Sequence, residues 1–173
     1  MFHERMLYNS PLVTIPERAA RAQPSGSLVH ALRDAGRLDD PVARDLVGEA
    51  RMLQVVGDAL QDRIRRGVTS GAMTDQSAAV GRLFAGIASA RTNTIMFELA
   101  GAAGAAWTDD DGALEGTGID FIMRQVSCIG GGTTEMARNV ISERVLGMPR
   151  ERTVDRDVPF RDIPRAPAPG ARG

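Results

Sequence analysis

The run of glycines at residues 130–132 is the feature of the sequence best suited to chemistry. It stands within the segment 129–139, which reads IGGGTTEMARN. Glycine has no side chain, so consecutive glycines let backbone N–H groups come close to a bound ligand. A helix that begins at Thr133 or Thr134 would add the positive end of its dipole, which favours anionic groups. The same glycines can equally form a tight linker between two helices, and the pattern alone leaves both interpretations open.

The other reactive side chains have no partners at useful spacing. Cys128 is the single cysteine, and no histidine is placed to activate it, which favours a semi-buried thiol over a nucleophile. His3 and His30 are too isolated to suggest a metal site or a catalytic pair. A single cysteine also excludes an internal disulfide and fits a reducing compartment. We therefore expect no metal site.

The elements that position these residues are predicted to be helices, because alternation of the strand type is absent. Asp40 followed by Pro41 is typical of the start of a helix, and the amphipathic pattern that follows ends near Gly67. Thr74 can cap a second long helix that ends in the small residues 101–104. Its apolar side chains are expected on one side of the helix: Val80, Phe84, Ile87, Ile95 and Leu99.

Two shorter helices are predicted after these. Thr117 begins a capping-box pattern, and the short helix that it opens runs through Arg124 to the glycines. Thr133 or Thr134 then caps a last helix that closes at Gly147. The apolar positions of that last helix are Ala137, Val140, Ile141 and Val145.

The predicted architecture is all-α, an up-and-down helical bundle over residues 1–150. Prolines interrupt the first 25 residues, in which short helical segments are expected at 2–7 and 17–21. The proline-rich and glycine-rich tail, residues 151–173, is expected to be extended or disordered.

The totals fit one soluble domain. The chain has 173 residues, of which 43% are hydrophobic and 25% charged, enough for one core. Its 21 basic and 22 acidic residues are spread along the chain, so no basic face for nucleic acid or acidic lipid is evident. No apolar stretch approaches the roughly 20 residues that span a bilayer, and no signal peptide is recognisable. We expect a cytoplasmic protein with no nucleic acid or membrane partner.

Residues 129–151, with the sequence IGGGTTEMARNVISERVLGMPRE, are similar to the closing signature of the acyl-CoA dehydrogenases. The match is contiguous and long. The resemblance implies the C-terminal helical domain of a flavoprotein oxidoreductase of fatty acid metabolism, which converts an acyl-CoA to its enoyl-CoA. It also implies FAD as cofactor, an acyl-CoA as substrate and an acceptor of the electron-transfer-flavoprotein type.

By this resemblance the glycine loop faces both the flavin and the acyl thioester. Gly132, Thr133 and Glu135 fall where family members contact the cofactor, whereas Arg138 is expected to be structural. The resemblance therefore predicts three cofactor-binding residues in the loop and in the first turn of the last helix.

A second cofactor contact is implied at the end of the second long helix. Gly101 and Gly104 match two glycines that hold the adenosine end of a flavin bound mainly by a neighbouring subunit. Glu98 and Ala102 depart from that pattern, and a carboxylate near a pyrophosphate would be repelled. Small residues that serve only helix packing explain the same glycines equally well.

The resemblance also implies a glutamate base, which removes the α proton of the acyl-CoA while hydride leaves the β carbon for the flavin. In many family members this glutamate lies in the glycine loop, where this chain has Gly131. In isovaleryl-CoA and long-chain dehydrogenases it directly precedes an arginine on the first helix of the domain. Here Glu4 precedes Arg5, so Glu4 is the predicted catalytic base and Arg5 the residue that orients or balances its carboxylate.

One flavin contact of the family has no clear counterpart. The family pattern between residues 25 and 45 carries an arginine followed by phenylalanine and glycine. Arg33 or Arg37 could substitute for that arginine, but Gly36 with the Asp40-Pro41 restart is at least as typical of a plain turn.

The matched segments belong to the last third of the family's architecture. The N-terminal helical domain and the middle β-domain have no counterpart, so we expect no turnover from this chain alone. One interpretation is a fragment of an acyl-CoA dehydrogenase. The other is a non-catalytic helical subunit that serves oligomerisation, as dimer or tetramer, with a flavin-bearing partner.

Overall fold

A computed structural model describes residues 25–34, 36–106, 117–150 and 158–163. The helices in these ranges are α1 (Ser25–Asp34), α2 (Pro41–Thr69), α3 (Ala78–Ala100), α4 (Ala102–Ala105), α5 (Thr117–Met123) and α6 (Thr134–Val140). Short 3₁₀ turns form at Asp75–Ser77, Arg124–Cys128 and Phe160–Asp162, and a π-helical turn, Ile141–Val145, continues α6. The described residues contain no strand, which confirms the predicted all-α class.

Several predictions concern residues that the structure does not describe. Glu4, Arg5 and the segments 2–7 and 17–21 lie outside the described ranges. Within the predicted tail, the described residues 158–163 contain one 3₁₀ turn. None of the described helices is both long and apolar enough to cross a membrane.

The start of α2 follows directly from local chemistry. Asp40 is the N-cap, and its Oδ1 accepts the N–H groups of Val42 at 3.0 Å and Ala43 at 3.2 Å. Arg37 donates to Oδ2 of Asp40 at 2.7 Å, and this hydrogen bond, followed by that from Ala43, lowers the pKa of Asp40. Arg37 also donates to the carbonyl of Leu99 at 2.8 Å. Residues 36–40 therefore form a turn in which Arg37 is held by hydrogen bonds to Asp40 and Leu99.

Helices α2 and α3 lie side by side and antiparallel. In the first third of α2, the two carboxylate oxygens of Glu49 accept hydrogen bonds from Arg91 at 2.8 and 2.7 Å. Further along α2, Gly57 lets the ring of Phe84 approach so closely that a Cβ there would lie 3.3 Å from it. Later residues of α2 thus meet earlier residues of α3. The Arg91 hydrogen bonds lower the pKa of Glu49, so this pair stays charged across the hairpin.

The core forms where α1 meets this hairpin. Ile95 of α3 is fully buried against Leu28 of α1 and Ala50 of α2. Partly buried apolar side chains surround the three: Leu46, Val47, Met96 and Leu99.

Four of the five residues predicted on the apolar side of α3 are buried or partly buried, so this prediction is confirmed in part. Ile87, placed on that face, is 47% exposed, and the buried residues of α3 include the polar Arg82. Arg82 can be buried outside the apolar side because α3 is covered on two sides, by α2 and by the segment 117–140. The prediction for Thr74 also differs, because its side chain caps nothing and a 3₁₀ turn precedes α3.

The segment 117–132 runs back along α3. The ring of Phe121 stacks on Phe97 with centroids 4.2 Å apart, near the C-terminal end of α3. Ser127 donates its hydroxyl to the carbonyl of Gly86 at 3.2 Å, much nearer the N-terminal end. This direction brings the glycine loop to the first turns of α3.

Candidate functional site

The glycine loop, residues 129–132, is a tight turn between the Arg124–Cys128 3₁₀ turn and α6. Gly130 donates its N–H to Val126 O at 3.0 Å, and Gly132 donates to Ile129 O at 3.0 Å. Gly131 and Gly132 have φ values of +77° and +116°, which L side chains rarely adopt. The turn itself therefore requires glycine at these two positions. A residue with a side chain, such as glutamate, would be strained at position 131 in this backbone.

Arg82 of α3 supports the glycine loop through hydrogen bonds. Its Nη2 donates to the carbonyl oxygens of Gly130 and Gly132, the second at 3.0 Å. The residue is only 6% exposed, and arginine is seldom buried this deeply unless hydrogen-bonded or paired. Sequence reasoning missed this residue. The sequence feature that could have indicated Arg82 is its place one helical turn before Gly86, on a helix face that also carries small residues.

Gly86 allows the chain to come close to α3. A Cβ at this position would lie 3.0 Å from the carbonyl oxygen of Ser127 and 3.0 Å from Arg82 Nη1. The Cys128 thiol lies 3.5 Å from the Gly86 carbonyl oxygen and is half-buried. This contact agrees with a semi-buried thiol and gives Cys128 no base.

Thr133 and Glu135, which are also predicted to bind the cofactor, lie at the start of α6. Thr133 is the N-cap, and its hydroxyl accepts the N–H of Met136 at 3.2 Å, which confirms the predicted cap. The Thr134 hydroxyl donates to Glu135 Oε1 at 3.0 Å, and Arg138 approaches the same oxygen at 3.4 Å. The Glu135 side chain is 74% exposed.

Glu135 is therefore an acceptor that stays anionic. Its own backbone N–H lowers the pKa of the carboxylate most, followed by the hydroxyls of Thr134 and Thr133. An exposed carboxylate with a lowered pKa can accept hydrogen bonds from N–H or O–H groups of a ligand. It is unsuited to donate a proton or to face a phosphate.

Gly101 and Gly104 follow the end of α3. Gly101, with φ of +57°, terminates the helix, and its N–H approaches the carbonyls of Phe97 and Glu98 at 3.2 and 3.3 Å. A Cβ at Gly104 would lie 2.9 Å from the Cβ of Ala100. Both glycines thus have a local reason for their identity.

The predicted cofactor-binding residues fall into two separate groups. Gly132, Thr133 and Glu135 lie together, beside Arg82 near the N-terminal end of α3. Gly101 and Gly104 follow its C-terminal end, and at helical rise Arg82 and Gly101 are about 28 Å apart. The two groups cannot contact the same part of one ligand.

Within the part of the chain that the structure describes, no group of three His, Cys, Asp or Glu side chains could hold a metal ion. No family model, curated protein or solved structure matches this chain.

Proposed function

We propose that this chain is the C-terminal bundle domain of a flavin-dependent acyl-CoA dehydrogenase, with the glycine loop facing the flavin. The single observation that carries the proposal is the contiguous signature at residues 129–151. The fold supports it in two ways. The loop is exposed at Ile129, Gly130 and Gly132 and is therefore accessible to a ligand. The antiparallel course of α2, α3 and the segment 117–132 is compatible with an up-and-down bundle.

The proposed reaction removes two hydrogens from the acyl-CoA. Glu4 takes the α proton as general base, and the charge of Arg5 keeps the Glu4 carboxylate ionised until then. When bound, FAD would supply the acceptor for the β hydrogen, which leaves as hydride, while the electron pair of the α C–H bond broken by Glu4 would form the double bond of the enoyl-CoA. Glu135 would hold the cofactor as a hydrogen-bond acceptor, and Thr133 would fix the start of α6 beside it.

The two groups of glycines suit a flavin site shared between subunits. Gly101 lies about 28 Å along α3 from Arg82, which contacts the loop, and Gly104 follows in α4, so both are far from the flavin that the loop would face. In our proposal they contact the adenosine end of a flavin bound mainly by a neighbouring subunit. The proposal thus includes an oligomer, formed with further copies or with a flavin-bearing partner chain.

Replacement of Glu4 tests the proposed chemistry. The chain would be joined to the N-terminal helical and middle β-domains of an acyl-CoA dehydrogenase, and variants would be compared at equal flavin content. Glu4→Gln should lower acyl-CoA oxidation by about 10²–10⁴-fold, the usual contribution of a general base. Glu17→Gln is the control and should retain activity. Undiminished oxidation by Glu4→Gln would refute the assignment of the base.

A second candidate function is oligomerisation without catalysis, and an apolar surface favours it. Four large apolar side chains are exposed within α5, the 3₁₀ turn that follows it and the start of the glycine loop, which is a concentration typical of interaction surfaces. They are Ile122, Met123, Val126 and Ile129.

Charge placed on this surface tests the second candidate. If the surface joins subunits, Val126→Asp should shift the mass measured by light scattering toward the monomer, because an unpaired carboxylate would be buried. Val42→Asp is the control, since Val42 is also exposed but belongs to α2. A monomeric wild-type chain, or equal masses for both variants and the wild type, would argue against this surface as an interface.

A further inference from the structure

Arg82 lies where α3 meets the glycine loop, and its contacts single it out among the arginines of the described residues. The ion pairs of the described arginines join exposed or half-exposed side chains, such as Arg91 with Glu49. Arg82 is buried and donates to two backbone carbonyls of one loop, at positions 48 and 50 residues later in the chain. Because the buried guanidinium donates to both carbonyl oxygens, it fixes the direction of both peptide groups.

The direction of those carbonyls determines what the loop shows to solvent. A trans peptide points its C=O and N–H to opposite sides. Because the Gly132 carbonyl points to Arg82, the N–H of Thr133 points away from α3, toward the outer side of the loop. The first turn of α6, with the carboxylate of Glu135, starts from this peptide. The position of Arg82 thereby sets the position of the predicted cofactor-binding residues.

Gly86 completes the support. It lies one helical turn after Arg82 on the same face of α3, and its carbonyl accepts the Ser127 hydroxyl at 3.2 Å. The backbone of residues 127 and 128 rests so close to Gly86 that a Cβ there would need a neighbour to move. The loop is thus anchored by a hydrogen-bonding arginine and by a close backbone contact.

We propose that Arg82 is a positioning residue that holds the glycine loop in its ligand-binding conformation; the ligand-binding part of this inference rests on the proposed function. Arg82 does not touch the ligand. It acts through the carbonyls of Gly130 and Gly132, so its loss should disturb the loop and the ligand together while the α2–α3 hairpin remains.

The test measures amide hydrogen exchange and FAD contact by NMR on the ¹⁵N-labelled chain. Arg82→Met should speed exchange in residues 129–134 by roughly tenfold or more, because charge-assisted hydrogen bonds are lost. It should also reduce the shifts that FAD causes there. Arg82→Lys, which keeps the charge, should give a smaller effect. If Arg82→Met does not fold, Arg82→Lys gives the answer, because it keeps a charged donor at this position and should still speed loop exchange. Gly86→Ala, whose Cβ would lie 3.0 Å from both the Ser127 carbonyl oxygen and Arg82 Nη1, should disturb the same residues.

Arg91→Met is the matched control, since it removes an arginine from α3 on the side that faces α2. It should leave exchange in the loop and the FAD shifts unchanged. Unchanged loop exchange in Arg82→Met, or equal acceleration throughout the chain, would overturn the inference. Faster loop exchange with undiminished FAD shifts would overturn its ligand-binding part. If FAD shifts no resonance of the wild-type chain, the proposed function fails instead, and loop exchange still decides whether Arg82 holds the loop.

Discussion

Gly132 shows at the level of a single residue how the loop depends on glycine. Its φ of +116° is outside the range of ordinary L residues, and open space surrounds the position where a Cβ would stand. Any cost of a side chain there therefore arises from the backbone and not from a clash. The residue has a structural reason to be glycine whether or not a ligand binds.

Replacement of Gly132 by alanine should accordingly destabilise the protein by about 1–3 kcal/mol. Urea unfolding followed by circular dichroism measures this free energy. Gly48 is the control, because it lies exposed in α2 with nothing near its Cβ position and without positive φ. Gly48→Ala should stabilise the protein by about 0.5–1 kcal/mol, since alanine favours the helix. An unchanged stability of Gly132→Ala would show that the loop adopts another backbone conformation.

Individual site residues differ in how far sequence reveals them. The cap formed by Thr133 could be predicted because the hydroxyl and its N–H partner are three residues apart. The partners of Arg82 are 48 and 50 residues away, and no local pattern records such a distance. Glu4 and Arg5 lie outside the described residues, so their roles stay predictions.

At the level of elements, α3 lies at the centre of the described packing. It packs against α2 on one side and against the segment 117–140 on the other. Its two covered faces explain why one apolar stripe could not describe it. The start of α2, by contrast, was predictable, because Asp40 and Pro41 supply the local chemistry of a helix start.

A pair of isoleucines on α3 tests this arrangement. Ile95 is fully buried, so Ile95→Ala should cost about 2–5 kcal/mol of unfolding free energy. Ile87 is nearly half exposed, and Ile87→Ala should cost about 1 kcal/mol or less. Both lay on the single face that the sequence pattern predicted. Similar losses in chemical denaturation for the two variants would contradict the packing described for α3.

At the level of the whole molecule, the all-α class could be predicted, whereas the spacing of the site could not. The sequence pattern names two sets of cofactor-binding residues but contains no distance between them. The length of α3 supplies that distance and places Gly101 about 28 Å from Arg82. In the proposed function, this separation agrees with the arrangement that the resemblance implies, in which the two sets of residues contact different flavins of an oligomer.

A titration of the ¹⁵N-labelled chain with FAD, followed through its amide resonances, tests directly whether the glycine loop faces the flavin. NMR detects weak contacts, which suits a chain expected to carry only part of the flavin site. We predict that millimolar FAD shifts the resonances of residues 130–136, and that ADP, which lacks the flavin ring, leaves them in place. No shift in the loop at that concentration, or equal shifts with ADP, would contradict a flavin-facing glycine loop.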